Sequence, residues 1–259
     1  MDLRRAYRLH EKRFDACFSV ILGLVAWEIV DTIVINNPLV LVGPTRIAGA
    51  FMRLLYRGEL MRHVYATFVE FILGYFVGVV AGIGLGVLMA LNRTVKEILN
   101  PWVTIAYNTP VILLAPLFIA ALGLGIASKI VIVFIGAVFP VLFNTYAGIT
   151  TVDVRLVEAV RAFGGTFVQI FFKVTVPSSL PLVMTGLRLS VGRAIIGAIV
   201  SEFFGARAGI GYLIVAASEA FKTAEAFVGV ALLAVGGYLT FEVLKYIERK
   251  IAPWYEYRI

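Results

Sequence analysis

Six stretches of the chain, residues 16–35, 64–91, 102–123, 130–149, 180–200 and 227–246, run almost unbroken through apolar side chains. A bilayer core about 30 Å thick needs roughly 20 apolar residues in helical form. The pattern therefore predicts an all-α, polytopic membrane protein with six transmembrane helices. Strands of a membrane barrel are about half that length and alternate apolar with polar positions, so the continuous runs exclude a barrel. Within hydrocarbon, a helix satisfies its own backbone. Composition agrees: 61% of the 259 residues are hydrophobic and 15% charged, against about a quarter charged in an average soluble domain.

The basic opening of the chain followed by an apolar run has the outline of a signal peptide. "INNPLV" stands where a small-residue cleavage site would be expected, so the run reads as an uncleaved first span. Fourteen of the 23 lysines and arginines fall on one side if the spans alternate, among them Arg4, Arg5, Arg93, Lys96, Arg155, Arg161, Lys173, Lys245 and Arg249, and seven on the other. By the positive-inside rule both termini, 1–13 and 247–259, are expected to be cytoplasmic. The net charge of +7 calls for anionic lipid as its partner and no nucleic acid. The expected organisation is a cytoplasmic N-terminus (1–13), a first span with an external amphipathic segment (14–59), a transmembrane domain (60–246) and a cytoplasmic C-terminus (247–259).

The spans carry a packing code. Gly74, Gly78, Gly82, Gly86 and Ala90 recur every fourth residue, as do Gly186, Ser190, Ala194 and Ala198. Such faces admit a second backbone closely, either within one bundle or at a dimer seam. Pro110 and Pro116 in the third run and Pro140 in the fourth each delete a backbone donor; they mark kinked structural helices or helices lining a route through the membrane. One cysteine and two histidines provide neither a disulfide framework nor a Cys/His metal site. "GLGIASK" fails as a phosphate loop, because Ser128 and Ile130 replace its glycine and hydroxyl residues, and "GIGLG" at Gly82 lies inside a span. No catalytic or metal site and no cofactor is expected in this chain.

Residues 153–177 interrupt the apolar pattern. Asp153 is placed to cap "VRLVEAVRAF", in which Arg155, Glu158 and Arg161 share one face. Gly164 and Gly165 end that helix, a second amphipathic turn covers 166–173, and "VPSSLP" starts the fifth span with Ser178 or Ser179 as cap and Pro181 in its first turn. The expected product is an elbow at the membrane face.

This stretch resembles the EAA loop of type I ABC importer permeases, with pattern E-A-A, three residues, G, nine residues, I-x-L-P. Glu158, Ala159 and Val160 fall on the first three places, Gly164 on the glycine, and Val174, Val176 and Pro177 on the closing three without insertion. "GLRLSVGRAIIGAIVSEFFGARAGIGYLI" from Gly186 is similar to the nitrate, sulfonate and taurine branch, some of whose members carry vitamin-precursor heterocycles; Arg207 and Ala208 depart from the branch. The resemblance implies a pore of two permease copies, a homodimer by preference. It implies two cytoplasmic ATPase subunits that bind ATP and Mg, and a solute-binding protein docking on the outward loops 36–63 and 203–226. Glu158, Ala159, Arg161, Gly164 and Pro177 would couple the permease to its ATPase. The alternative for Glu158 is an intrahelical pair with Arg155 or Arg161.

Charges inside spans are costly and face a partner or a cavity. Arg188 and Glu202 share a face about 21 Å apart along a helix. Together with Arg193 and Asn108 they are candidates for a translocation path for an organic or inorganic anion. The competing reading pairs the arginines with Glu70, Glu28 or a backbone carbonyl. A secondary transporter, which needs internal repeats and a midplane ion site, leaves the elbow unexplained.

Overall fold

The computed structural model describes Asp15 and residues 18–254; the basic N-terminal residues, Ala16, Cys17 and Arg258 lie outside them. Helix α1 (Phe18–Ile35) ends in a π-helical stretch, Val30–Ile35, and is closed by Asn36, a left-handed residue (φ 42°) whose N–H donates to the Asp31 carbonyl. It is followed by α2 (Pro44–Tyr56), α3 (Glu59–Leu91), α4 (Arg93–Asn108), α5 (Val111–Leu122) and α6 (Ile126–Thr150). After these come α7 (Val154–Ala162), α8 (Phe167–Ile170), α9 (Val176–Phe203), α10 (Ile210–Glu219) and α11 (Thr223–Ile251). Among the described residues five helices are long and apolar enough to span a bilayer, six if the bent α4–α5 pair is counted as one broken span. The predicted spans are present, and several extend beyond their apolar runs: α3 begins at Glu59 and α11 continues to Ile251.

The described residues form two compact units, one of residues up to Arg62 with Leu213–Ala231, the other of His63–Tyr212 with residues 232–254. In the first, α1 is almost bare: 6% of its best apolar window is buried. Trp27 meets Phe227 at 5.9 Å between ring centroids, and Glu28 caps α2 from a distance by accepting the Thr45 amide at 3.0 Å.

The second unit is built around α6, 56% buried over its apolar window. A Cβ on Gly74, Gly78, Gly82 or Gly86 of α3 would lie within 2.5–2.8 Å of Val133, Ala137, Val138 and Val141, or Thr145 respectively, so both helices keep the same four-residue stride. On α6's other side, a Cβ on Gly136 would strike the Arg193 carbonyl of the antiparallel α9, and one on Gly197 of α9 the Ile132 carbonyl of α6. The two small-residue stripes are thus intramolecular packing faces. Phe71, Val133, Ala137, Val191, Ala194 and Ala198 form the core beside them.

Two local expectations are corrected. The third run is not one helix: α4 and α5 meet at 99°, with Thr109 extended (ψ 122°) and Pro110 as the N-cap of α5. Proline cannot donate and disfavours helical geometry in the residue before it. Pro101, Pro116 and Pro140 stay inside helices; at Pro140 the Asn144 amide donates to the proline carbonyl (2.8 Å). The fifth span does not start at Ser178 or Ser179. It begins with a capping box in which Thr166 and Gln169 satisfy each other's backbone amides, passes through a π-helical stretch, Phe171–Thr175, and continues into α9 with Pro177 in the first turn. The π turn takes up the register change that lets Pro177 follow, and Ser179 Oγ donates instead to the Val176 carbonyl (2.9 Å).

Candidate functional site

The break in the third span opens a cavity of about 350 Å3, lined by Tyr107, Asn108, Pro110, Gly136, Phe139 and Arg193, among others. Two sequence candidates, Asn108 and Arg193, therefore come together although 85 residues separate them. Arg193 is placed by the close contact of its own backbone with Gly136. Its Nη2 donates to Tyr107 Oη at 2.8 Å, and its guanidinium lies 4.3 Å from that ring's centroid. Phe143 and Phe139 hold the ring edge-on at 5.1 and 6.2 Å. Asn108 turns its amide back to the Thr104 carbonyl (2.8 Å), leaving its Oδ1 as the acceptor. The cavity thus offers one guanidinium, with donors to spare, on a wall of aromatic and aliphatic carbon. Chemically, such an arrangement suits a small anion with an apolar body.

Arg188 lies elsewhere. It is ion-paired and hydrogen-bonded to Glu248 of α11 and donates to Thr185 Oγ1 at 3.2 Å; the two charged side chains are 12% and 3% exposed. Neither Glu70 nor Glu28 is its partner. Glu70 is taken by Lys129 (2.5 Å) and Glu28 by Thr45. Arg188 is a buried structural cation.

Glu202 also leaves the proposed path. It is 1% exposed and accepts from Thr67 Oγ1 (2.6 Å) and the Gly211 amide (2.5 Å). Thr67 Oγ1 in turn accepts from the Ile210 amide (2.7 Å), and His63 Nδ1 from the Gly209 amide (3.2 Å). Three successive donors at the start of α10, which have no partner within their own helix, are met by three side chains: two from α3 and one from α9. Gly209 has φ 133°, and a Cβ there or on Gly211 would enter the Glu202 carboxylate. The sequence signal was the Gly-x-Gly spacing soon after a glutamate at the end of a span.

The elbow is laid out as its motif suggested. Asp153 accepts the Arg155 amide (2.9 Å) and pairs with its guanidinium (2.9 Å); these bonds hold the exposed Asp153 carboxyl below its ordinary 3.8. Arg155 is thereby turned away from Glu158. Among the described residues Glu158 makes no ion pair or hydrogen bond, and Glu158, Ala159, Arg161 and Gly164 are exposed. Gly164 has φ 77°, and the Gly165 and Gly164 amides donate to the carbonyls of Val160 and Arg161 (both 2.9 Å), the two bonds of a Schellman motif. Arg161 lines a cleft of about 320 Å3 with Val157, Phe167, Phe171 and the ends of α3 and α6 at Leu91 and Ile149. Pro177 is partly buried at the start of α9. Phe163 beside the turn is 93% exposed, an apolar surface that water does not favour.

Residues 78–253 match the family described as binding-protein-dependent transport system inner membrane component. The chain is 33% identical over 236 residues to a protein of Bacillus subtilis (strain 168) named as an aliphatic sulfonates transport permease protein, SsuC, covering 91% of this chain and 85% of that one. It is 33% identical to the formylaminopyrimidine transport permease protein ThiX of Halalkalibacterium halodurans, covering 97% and 98%. It is also 27% identical to the taurine transport system permease protein TauC of Escherichia coli (strain K12), covering 90% and 86%. In fold it resembles a chain of the inward-facing MetNI methionine ABC transporter, with a TM-score of 0.64 and 24% identity over 77% of this chain and 98% of that one.

Proposed function

Because the chain belongs to the binding-protein-dependent transport system inner membrane components, we propose that its solute is a small sulfonate-type anion, drawn through the cavity at the broken span. The observation that carries the reading is the Arg193 guanidinium, which lines that cavity with Asn108 and, among the described residues, hydrogen-bonds only a tyrosine hydroxyl. Relatives named for aliphatic sulfonates and taurine support the same choice. A sulfonate oxygen replaces the tyrosine hydroxyl on Arg193, and the apolar wall takes the alkyl body.

The working assembly is two permease copies in the plasma (inner) membrane, both termini cytoplasmic, with two ATPase subunits that bind ATP and Mg and a solute-binding protein on the outward loops. ATP closes the ATPases on each other. Each carries an elbow, with Glu158 reaching an ATPase donor, Ala159 allowing close approach and Gly164 keeping the angle between α7 and α8. The elbow continues without a break into α9, so its displacement tilts the helix that bears Arg193.

The test is uptake by the reconstituted permease, ATPase and binding protein. Arg193→Gln is expected to lower taurine or alkanesulfonate uptake by at least tenfold, while Arg193→Lys retains part of it and ATP binding is unchanged. Wild-type uptake by Arg193→Gln refutes the anion contact. The aromatic wall and the likeness to ThiX favour one second reading, a pyrimidine stacked against Tyr107. Uptake of formylaminopyrimidine that survives Arg193→Gln but not Tyr107→Ala would select it.

A further inference from the structure

The loop between α10 and α11 and the face of α2 enclose a second cavity, of about 260 Å3, in the first unit and apart from the broken span. Three cations line it. Arg46 already leans toward the buried Asp31 carboxylate at 3.9 Å, and Lys222 is loosely paired with Glu225 at 3.8 Å. Arg53, two turns beyond Arg46 on α2, makes no ion pair among the described residues. Thr223 and Ala224 at the start of α11 also line the cavity; their amides have no acceptor among the described residues, and the Thr223 hydroxyl donates to the Leu39 carbonyl (3.5 Å). The N-terminus of a 29-residue helix in a cavity lined by three cations and one carboxylate favours an anion.

Glu225, in the first turn of α11, also lines it; the remaining residues, Pro38, Leu39, Val42 and Phe221, are apolar. Leu39 is 59% and Phe221 76% exposed. Phe221 holds a left-handed backbone (φ 55°), a conformation costly for an aromatic residue. The surroundings are those of lipid: α1 is almost bare of protein, and α2 exposes Met52, Leu55 and Tyr56 beside its basic residues, as a helix in a membrane interface does.

We infer that this cavity binds an oxyanion supplied by the phosphodiester headgroup of an anionic phospholipid, held by Arg53, Lys222 and the open amides of α11, with Leu39 and Phe221 against its glycerol and upper acyl carbons. The lipid would fasten α2 and the α10–α11 loop to the membrane surface. The inference does not depend on which solute is carried.

The test uses the purified full chain in neutral detergent, titrated with phosphatidylglycerol, phosphatidylcholine and sodium phosphate and read as lipid-bound species by native mass spectrometry. Phosphatidylglycerol is expected to bind at least tenfold more tightly than phosphatidylcholine. Arg53→Gln and Lys222→Gln should each weaken it about fivefold, from the ~1 kcal/mol a cation contributes near an anionic lipid. Glu225→Gln, which removes the competing carboxylate, should tighten it. Arg57→Gln, a basic change on the same helix outside the cavity, should leave it unaltered. Equal affinity for the two lipids overturns the proposal, as does wild-type binding by the Arg53→Gln/Lys222→Gln variant or equal weakening by Arg57→Gln. Displacement of the lipid by millimolar free phosphate overturns the lipid assignment in favour of a soluble anion.

Discussion

Arg188 and Glu248 are 60 residues apart in sequence, ion-paired, and 12% and 3% exposed. Removing one member leaves the other charge buried without its counter-ion, which costs about 3–5 kcal/mol in well-studied cases, whereas replacing both by apolar residues of similar volume is often neutral or better. Arg188→Met and Glu248→Leu should therefore each destabilise the chain by about that amount. At roughly 2–4 °C per kcal/mol for a chain of this size, each single variant should melt some 6–20 °C lower. The double variant should recover most of the loss, giving a coupling energy well above the ~0.5 kcal/mol expected of independent sites. Thermal unfolding in detergent, followed for all four proteins by circular dichroism at 222 nm, closes the cycle. Single variants within 2 °C of wild type, or a double variant as unstable as the sum of the singles, would refute the buried-pair argument and return Arg188 to the candidates for solute contact.

Gly209→Ala should destabilise the start of α10 by about 1–3 kcal/mol, since it strains a backbone at φ 133° and drives a methyl into Glu202; hydrogen exchange of the amides of 209–211 would report it, and wild-type protection there would contradict the cage. Glu158→Ala, at an exposed position without an ion pair, should leave stability within about 0.5 kcal/mol while lowering binding-protein-stimulated ATP hydrolysis in the assembled transporter; unaltered coupling removes Glu158 from that role. Asp153 has a folded-state pKa below its ordinary 3.8, so its contribution to α7 is complete above that value and is lost as pH falls through the lower, folded one. The Arg155 amide should therefore exchange faster relative to its neighbours only in that acid window, and Asp153→Asn, which keeps the capping acceptor, should abolish the pH dependence.

The spans were legible because twenty apolar residues in water-free surroundings have few alternatives to a helix. The four-residue glycine stride was legible for the same local reason, although its partner was not: the matching stride of Val133, Ala137, Val141 and Thr145 looks like any other apolar run. The elbow's register could be read from Glu158 to Pro177 because its signals are turn and cap residues that act within a few positions. Its junction with α9 could not, since a π turn has no composition of its own and Ser178 and Ser179 look like caps. Of the prolines in the third and fourth runs, only Pro110 breaks its helix. What separates it from Pro116 and Pro140 is how neighbouring helices accommodate the chain, and that is not written locally. The same limit hid the partners of Arg188 and Glu202, since Glu248 and Thr67 come from distant helices. Arg193 and Asn108 could be named as candidates, but not brought to one cavity.

The grip on α6 from both sides has a mechanical consequence. Where methyl-sized notches on α3 engage α6 at every fourth residue, the helices cannot glide past each other by small amounts; the next position at which notch meets ridge again lies four residues on, about 6 Å at 1.5 Å per residue. The α9 contacts at Gly136 and Gly197 impose a similar lock on the opposite face. Within the second unit, α3, α6 and α9 are thus keyed to one another, whereas no such four-residue stride ties α4 to α5 across the bend at Thr109 and Pro110.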